Sequence, residues 1–379
     1  MKTNKIVVGL LVSIIFMMMV GVFHVHAQES IRLGTIQPLT GGGSLFGLLL
    51  KDGLTMAFEE VNAKGGVNGK KIELTIYDST TKPSVAISLA QRLIYQDKIP
   101  LILGSGSSLD NIAMMDLTER EKFPLLIPSA TSPKITTMGA KWVWRTSLTD
   151  ALSAKTLGKL VEKKSTWNKV AFLHENTEYG KPPIEILKGI VEKLKGKQIV
   201  AHEVYNKGDT DVSAQLSKIK KADPDVLFTW GYYTEGALIA RQARQIGLRA
   251  QLFGNQGLDF PEYIQLAGKA SEGVLIIEST SSATNPNPKI QDFRKRFETK
   301  FKRDCQHTAV DAYDGAMIAA RVLKEAGTNA EDIKKALNTM IFQGIAEEIK
   351  FDSTGQAMKG LLVFKVVNGE FKLEESMGF

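Results

Sequence analysis

Cysteine is almost missing from this chain: Cys305 is the only one in 379 residues. No intrachain disulfide can form, so packed cores must supply the stability even in an oxidising compartment. Histidine is scarce as well, with five in all, of which His174, His202 and His307 lie beyond the N-terminal segment. His174-Glu175 begins like a zinc-binding helix motif, but Glu178 stands where the second histidine belongs, so that ligand pair is incomplete. Nucleotide loops are absent too. Gly41-Gly42-Gly43 is followed by Phe46 where a dinucleotide loop needs its last glycine, and Gly69-Lys70-Lys71 lacks the upstream glycine of a phosphate loop. There is no G-x-S-x-G elbow, and no nucleophile–base pair stands out. A non-enzyme with no cofactor and no metal is therefore expected.

Blocks of one charge are also lacking. The formal net charge is +7, from 48 Lys and Arg against 41 Asp and Glu. Basic and acidic residues alternate, as in Lys51-Asp52, Glu162-Lys163-Lys164 and Arg294-Lys295-Arg296-Phe297-Glu298. A nucleic-acid surface would need clustered basic residues with interleaved aromatics, so no nucleic-acid partner is expected. Weak attraction to an anionic membrane or partner stays open.

The one long apolar run is Ile6 to Val22, preceded by Lys2 and Lys5 and followed by Val25-His26-Ala27. That is the layout of a signal peptide over residues 1–27 with cleavage before Gln28, which implies export to the periplasm. Removing Lys2 and Lys5 leaves the mature chain at +5. An uncleaved anchor is the alternative, since about 17 apolar residues can just span a bilayer. No cysteine lies near the junction, which excludes a lipid anchor there.

What remains is long enough for two domains. Short apolar runs alternate with amphipathic stretches. Ile31 to Ile36 and Ile72 to Tyr77 read as strands, and Leu45 to Val61 places Leu50, Leu54, Ala57, Phe58 and Val61 at helical spacing. Pro83 opens a helix, and Leu101 to Leu103, a helix from Asp110 and Leu125 to Ile127 continue the alternation. A second series starts near Asp150, with strands at Val170 to Leu173, Ile199 to Val204, Val226 to Thr229, Leu252 to Gly254 and Val274 to Ile277. The tail carries helices at Ile290 to Phe301, Val310 to Lys324 and Ala330 to Leu337, then a hairpin through Asn368-Gly369. The class is α/β, two units of mostly parallel sheet flanked by helices, sharing a tail and a cleft.

Ligands of such sheets bind at the carboxyl ends of the strands. Here those ends carry Gly104-Ser105-Gly106-Ser107-Ser108, Ser129-Ala130-Thr131-Ser132 and His174 to Tyr179. Glycine, serine and threonine expose N–H groups and hydroxyls suited to an anionic oxygen, and ordinary helix capping is the other use of each loop.

Over nearly the whole mature chain the sequence resembles the branched-chain (Leu/Ile/Val) amino-acid-binding proteins of bacterial ABC importers. The resemblance rests on Pro38-Leu39-Thr40-Gly41, Asn62-Ala63-Lys64-Gly65-Gly66-Val67-Asn68-Gly69-Lys70, Tyr77-Asp78, Pro128-Ser129-Ala130-Thr131-Ser132-Pro133, Arg145-Thr146 and Gln242 to Leu248, in order and at family spacing. It implies a two-lobed type I periplasmic binding protein fold with three interlobe crossovers, near Leu148, Glu278 and Gly360. Residues 28–148 plus 279–360 would form lobe 1, and 149–278 plus 361–379 lobe 2. A small ligand would be buried by hinge closure, and the closed form would meet the permease subunits. A monomer is expected.

The resemblance also implies the site. Ser108 and Thr131 fall on the hydroxyls that hold a ligand carboxylate, and Ser129 on a carbonyl that accepts from its ammonium. Tyr179 and Tyr232 match the tyrosines that close from the other lobe. Three departures count. Gln256, in Gly254-Asn255-Gln256-Gly257, replaces the acid that pairs with the ammonium; Phe46 stands in place of a tyrosine; and Trp230 replaces a small residue beside Tyr232. Thr81 and Ser107 replace two cysteines that some members bridge. Burying an ammonium without its carboxylate is costly. The expected ligand is therefore a small apolar or aromatic carboxylate. A hydrophobic amino acid, or a neutral amide or urea-like compound that uses both ends of the Gln256 amide, are the alternatives. A sensor that touches a receptor rather than a permease is equally compatible with these residues.

Overall fold

The computed structural model describes residues 30–41 and 43–377. The expected signal peptide lies outside the described residues. Among the described residues no helix is long and apolar enough to cross a membrane.

Strands β1 (Ile31–Gln37), β2 (Ile72–Asp78), β3 (Ile102–Leu103), β4 (Leu125–Ile127) and β5 (Val143–Arg145) form one parallel sheet in the order β2-β1-β3-β4-β5. Between them run helices α1 (Ser44–Ala63), α2 (Pro83–Tyr95), α3 (Ser108–Arg120) and the single turn α4 (Lys134–Thr137). The chain then passes to α5 (Asp150–Lys163) and a second sheet. That sheet contains β6 (Lys169–Glu175), β7 (Gln198–Tyr205), β8 (Val226–Trp230), β9 (Gln251–Gly254) and β10 (Leu275–Ser279), with α6 (Lys181–Val191), α7 (Ser213–Ala222), α8 (Tyr233–Gln245) and α9 (Pro261–Ala267) on its faces. From β10 it returns to the first sheet through α10 (Pro288–Phe301), α11 (His307–Ala326), α12 (Ala330–Thr339) and the short pair β11 (Phe342–Gln343) and β12 (Glu348–Ile349). It ends as the hairpin β13 (Leu361–Val367) and β14 (Glu370–Met377), which completes the order β14-β13-β10-β9-β8-β6-β7. Only β13 runs against the others in that sheet, pairing antiparallel with both β10 and β14.

Local chemistry explains these elements. The apolar stripe of α1 (Leu50, Leu54, Ala57, Phe58) joins the core on one face of the first sheet, together with Ala312, Ala316, Ala319 and Leu323 of α11. The two helices touch closely because Gly53 has no side chain: a Cβ there would lie 2.4 Å from the Ala309 carbonyl oxygen. The hairpin turns at Asn368 and Gly369, both at positive φ (56° and 73°), as the Asn-Gly pair predicts. Separate cores cover the two faces of the second sheet. A fifth cluster, with Phe46, Phe260, Phe293, Phe297 and the buried Cys305, joins α1 and α10 to residues of the second half. Burial raises the Cys305 thiol pKa, which keeps it protonated.

Some elements differ from their sequence reading. Helix α11 starts at His307 rather than Val310, and β14 runs to Met377 rather than Leu373. Strand β5 and the pair β11–β12 are too short to show a period. The polar start of α11 and the half-exposed β14 hide their limits from a count of apolar positions.

Candidate ligand-binding site

The carboxyl ends of both sheets meet at a narrow cavity lined by Phe46, Gly106, Ser108, Ser129, Ala130, Thr131, Tyr179, Tyr232, Gln256 and His307. Seven of the eight residues singled out from the sequence are on this wall. Trp230 is not. Its side chain lies at the end of β8 in the core with Phe172 and Phe228, so it adds no surface to the cavity.

The loop after β3 is held from below. Gln37 donates from Nε2 to the Gly104 carbonyl (2.8 Å), and its Oε1 accepts from Gly106 N (3.0 Å). Asn111 accepts from Ser105 N (2.9 Å) and donates to the Ser105 and Ser107 carbonyls (2.7 and 2.9 Å). Gly104 makes room for this, since a Cβ would sit 2.6 Å from Asn111 Oδ1. Ser107 caps α3 by accepting from Asp110 N (3.3 Å), so Ser108 is the first residue of a 13-residue helix. The helix N-terminus at the cavity favours an anion there. Buried Asp110 accepts from Ser79 and Ser105 (2.7 and 3.0 Å), and burial raises its pKa.

The loop after β4 is strained and braced. Ala130 has φ +138°, a conformation that costs a non-glycine residue about 1–3 kcal/mol. Arg145, fully buried, donates to the Ala130 and Ser132 carbonyls (3.2 and 2.6 Å), to Thr136 Oγ1 (3.1 Å) and to Gln356 Oε1 (2.7 Å). Burial lowers the Arg145 pKa to about 9, against the opposing pull of Asp150 and Asp352, so it stays charged at neutral pH.

Sequence reasoning missed Asp150, the first residue of α5. It joins the two halves at the cavity wall. Its N–H donates to the Thr131 carbonyl (2.9 Å), Oδ2 accepts from Thr131 Oγ1 (2.7 Å), and Oδ1 accepts from Gln256 Nε2 (3.1 Å). Burial raises its pKa to about 7, opposed by Thr131, Arg145, Trp230 and Gln256. The Trp230 Nε1 acts on this carboxyl without a partner at hydrogen-bond geometry. Because Nε2 of Gln256 is committed to Asp150, Oε1 is left buried with no partner. One residue of the cavity wall thus carries a buried acceptor without a donor. The sequence signal was an aspartate just beyond a turn, which reads as an ordinary first-turn helix acid.

The opposite wall is aromatic. Tyr179 and Tyr232 stack with centroids 4.8 Å apart, and Phe46 meets Tyr232 edge-on at 5.1 Å. Asn255 Nδ2 donates to the Tyr179 hydroxyl, and burial raises both phenol pKa values. Lys207 Nζ lies 4.7 Å from the centre of the Tyr232 ring. Gly257 permits this packing, because a Cβ there would fall 2.2 Å from the Gly231 carbonyl oxygen and 2.7 Å from the Tyr179 hydroxyl. At the rim Lys134 pairs with Glu178 (2.5 Å) across the two halves. His307, also missed, is the first residue of α11, and burial lowers its pKa to about 4, so it is neutral. Among the described residues no histidine hydrogen-bonds to Ser108, Ser129 or Thr131. The arrangement offers hydroxyls, a helix N-terminus, one amide acceptor and stacked rings. It is built to hold a molecule.

The family profile described as periplasmic binding protein matches residues 30–370. A leucine-, isoleucine-, valine-, threonine- and alanine-binding protein of Pseudomonas aeruginosa is 31% identical over 330 residues, 87% of each chain. The LivJ substrate-binding protein of a branched-chain amino acid transporter from Streptococcus pneumoniae, solved with isoleucine, is 27% identical with a TM-score of 0.84, covering 92% of this chain and 100% of that one. A solute-binding protein of an ABC transporter from Rhodopseudomonas palustris, solved with 3,4-dihydroxybenzoic acid, is 25% identical with a TM-score of 0.82, covering 92% and 96%. By sequence and by fold alike, this chain belongs to the periplasmic binding protein family, among the type I substrate-binding proteins related to the branched-chain amino-acid binders of ABC transporters.

Proposed function

We propose that the mature protein, released by cleavage before Gln28, captures a small apolar or aromatic carboxylate in the periplasm and presents it, closed, to the permease subunits of an ABC importer. It acts as a monomer and turns nothing over. Residues 28–148 with 279–360 move as one lobe and 149–278 with 361–379 as the other. Ser108, with the α3 N-terminus, holds the carboxylate; Ser129 and Thr131 flank it; Phe46, Tyr179 and Tyr232 cover the apolar part.

One observation carries the ligand assignment. Asp150 holds Nε2 of Gln256, and this cavity-lining residue is left with its Oε1 buried and unpartnered. A buried acceptor left unfilled costs about 1–3 kcal/mol, so the preferred ligand adds one neutral hydrogen-bond donor, such as a hydroxyl, to its acid. The relative solved with a dihydroxybenzoic acid is consistent with this chemistry. A second reading, a hydrophobic amino acid, is supported by the Asp150 carboxyl 3.1 Å behind Gln256, which could balance an ammonium when ionised.

Thermal unfolding with phenylalanine, phenyllactate and phenylpropionate separates the two. Ligand at 100 times its dissociation constant stabilises by about 2.7 kcal/mol. The expected result is a rise with both acids, larger for phenyllactate, and none with phenylalanine. A rise with phenylalanine alone establishes the second reading. A rise only with a neutral amide such as phenylpropionamide overturns both.

A further inference from the structure

Beside the ligand cavity lies a buried cluster that shares only His307 with the cavity wall. Asp259, Glu278 and His307 are 1%, 1% and 5% exposed, and each brings one donor atom within 4.8 Å of the others. They come from different parts of the fold: Asp259 from the turn after β9, Glu278 from β10 where the chain leaves the second sheet, and His307 from the start of α11, which packs on the first sheet. Spacings of 19 and 29 residues match no metal motif, which is why the sequence showed none.

Two of the donors have no partner. His307 Nδ1 and Glu278 Oε2 face each other at 3.2 Å, yet neither makes a hydrogen bond of acceptable geometry. The other atom of each group is already engaged. Glu278 Oε1 accepts from Ser279 N (2.5 Å), and His307 Nε2 lies 3.2 Å from Thr308 Oγ1. If Nε2 carries the proton toward Thr308, Nδ1 points a lone pair at Glu278 Oε2, an arrangement that either a proton on the carboxyl or a cation between the two atoms satisfies. The His307–Glu278 separation of 3.2 Å matches the about 3.3 Å between donors of a tetrahedral zinc ion, and Asp259, within 4.8 Å of both, would close in on the metal.

The surrounding charge favours a cation as well. Asp311 and Asp314 are also buried nearby, and the one buried ammonium among the described residues, Lys359, is committed to Asp311 Oδ1 (2.8 Å) and Ser281 Oγ (2.6 Å). Asp259 Oδ2 has only the Ser282 hydroxyl (2.8 Å). Among the described residues no lysine or arginine forms an ion pair with Asp259 or Glu278.

We propose that Asp259, Glu278 and His307 form a binding site for a divalent transition-metal ion such as Zn2+, which ties the two halves of the protein together at the crossover next to the ligand cavity. One nitrogen and two carboxylate oxygens suit zinc or cobalt better than calcium, and three protein donors leave a position open. Since His307 also lines the cavity, metal and organic ligand affect each other's affinity by the same factor.

The test uses the chelator-stripped mature protein. Titration with Co2+, read by its visible absorption, and with Zn2+, read by calorimetry, should show one site. Asp259→Asn and Glu278→Gln should each weaken it by more than the roughly 100-fold typical of second-shell losses. His202→Ala should leave it unchanged; this variant controls for the separate His174–His202 pair, whose Nε2 atoms are 3.0 Å apart. In the wild type, Zn2+ should shift the His307 ring resonances, a readout that needs no variant to fold. The proposal is overturned if the wild type binds neither metal, if the His307 signals do not move, or if binding survives both substitutions or disappears with His202→Ala. None of these readouts depends on the organic ligand.

Discussion

Replacing Asp150 with asparagine probes the contact between the two halves most sharply. Burial raises the Asp150 pKa from 3.8 to about 7. Between about pH 4 and 7 the folded protein therefore holds a proton that the unfolded chain has released. The stability tied to this group is complete below pH 4 and falls as the pH rises to 7. A shift of about 3 units corresponds to roughly 4 kcal/mol, lost at up to about 1.4 kcal/mol per pH unit. Asp150→Asn cannot titrate, so its stability relative to wild type should improve across that window and level off above pH 7. Urea unfolding of both proteins at half-unit steps from pH 4 to 8.5 measures the difference directly. A stability difference independent of pH, or one with the opposite slope, would refute the reasoning about this carboxyl.

Other perturbations test the supports of the site. Arg145→Met removes the guanidinium bonds to the Ala130 and Ser132 carbonyls, which keep only Ser147 Oγ and Ile135 N (both 3.2 Å), and those to buried Thr136 and Gln356; it should destabilise by about 3 kcal/mol, read as a lower melting temperature and weaker ligand binding. Gly257→Ala pushes a methyl into the Gly231 carbonyl and the Tyr179 hydroxyl, so calorimetry should show loss of ligand binding. Lys134→Ala removes an exposed rim pair worth at most about 1 kcal/mol, so ligand affinity should fall no more than about 5-fold, and 0.5–1 M salt should erase the difference.

Most of the architecture was legible from periodicity. Buried parallel strands such as Val226–Trp230 read as short apolar runs between amphipathic helices, and Asn368-Gly369 marked the last hairpin. The cavity wall was legible through loop chemistry and the family resemblance, because Ser108, Ser129 and Thr131 follow directly on strand ends. Asp150, His307 and the true place of Trp230 were not. Asp150 matters only because a loop from the other half donates to it, and nothing local in Thr149-Asp150-Ala151 records that partner. Trp230 ends a strand, and the residue-by-residue alternation of a strand decides which way it faces. The family resemblance puts a small residue at this position, so its replacement by Trp230 reads as added aromatic surface beside Tyr232.

The central claim is that this cleft holds a carboxylate through Ser108 and the start of α3. Calorimetry with 4-hydroxybenzoate and 4-hydroxybenzamide, on wild type and Ser108→Ala, tests it most directly. The account predicts one-to-one binding of the acid, little or none of the amide, and a loss of about 10- to 100-fold in acid affinity for Ser108→Ala. Equal binding of acid and amide, or acid binding indifferent to Ser108→Ala, would contradict it.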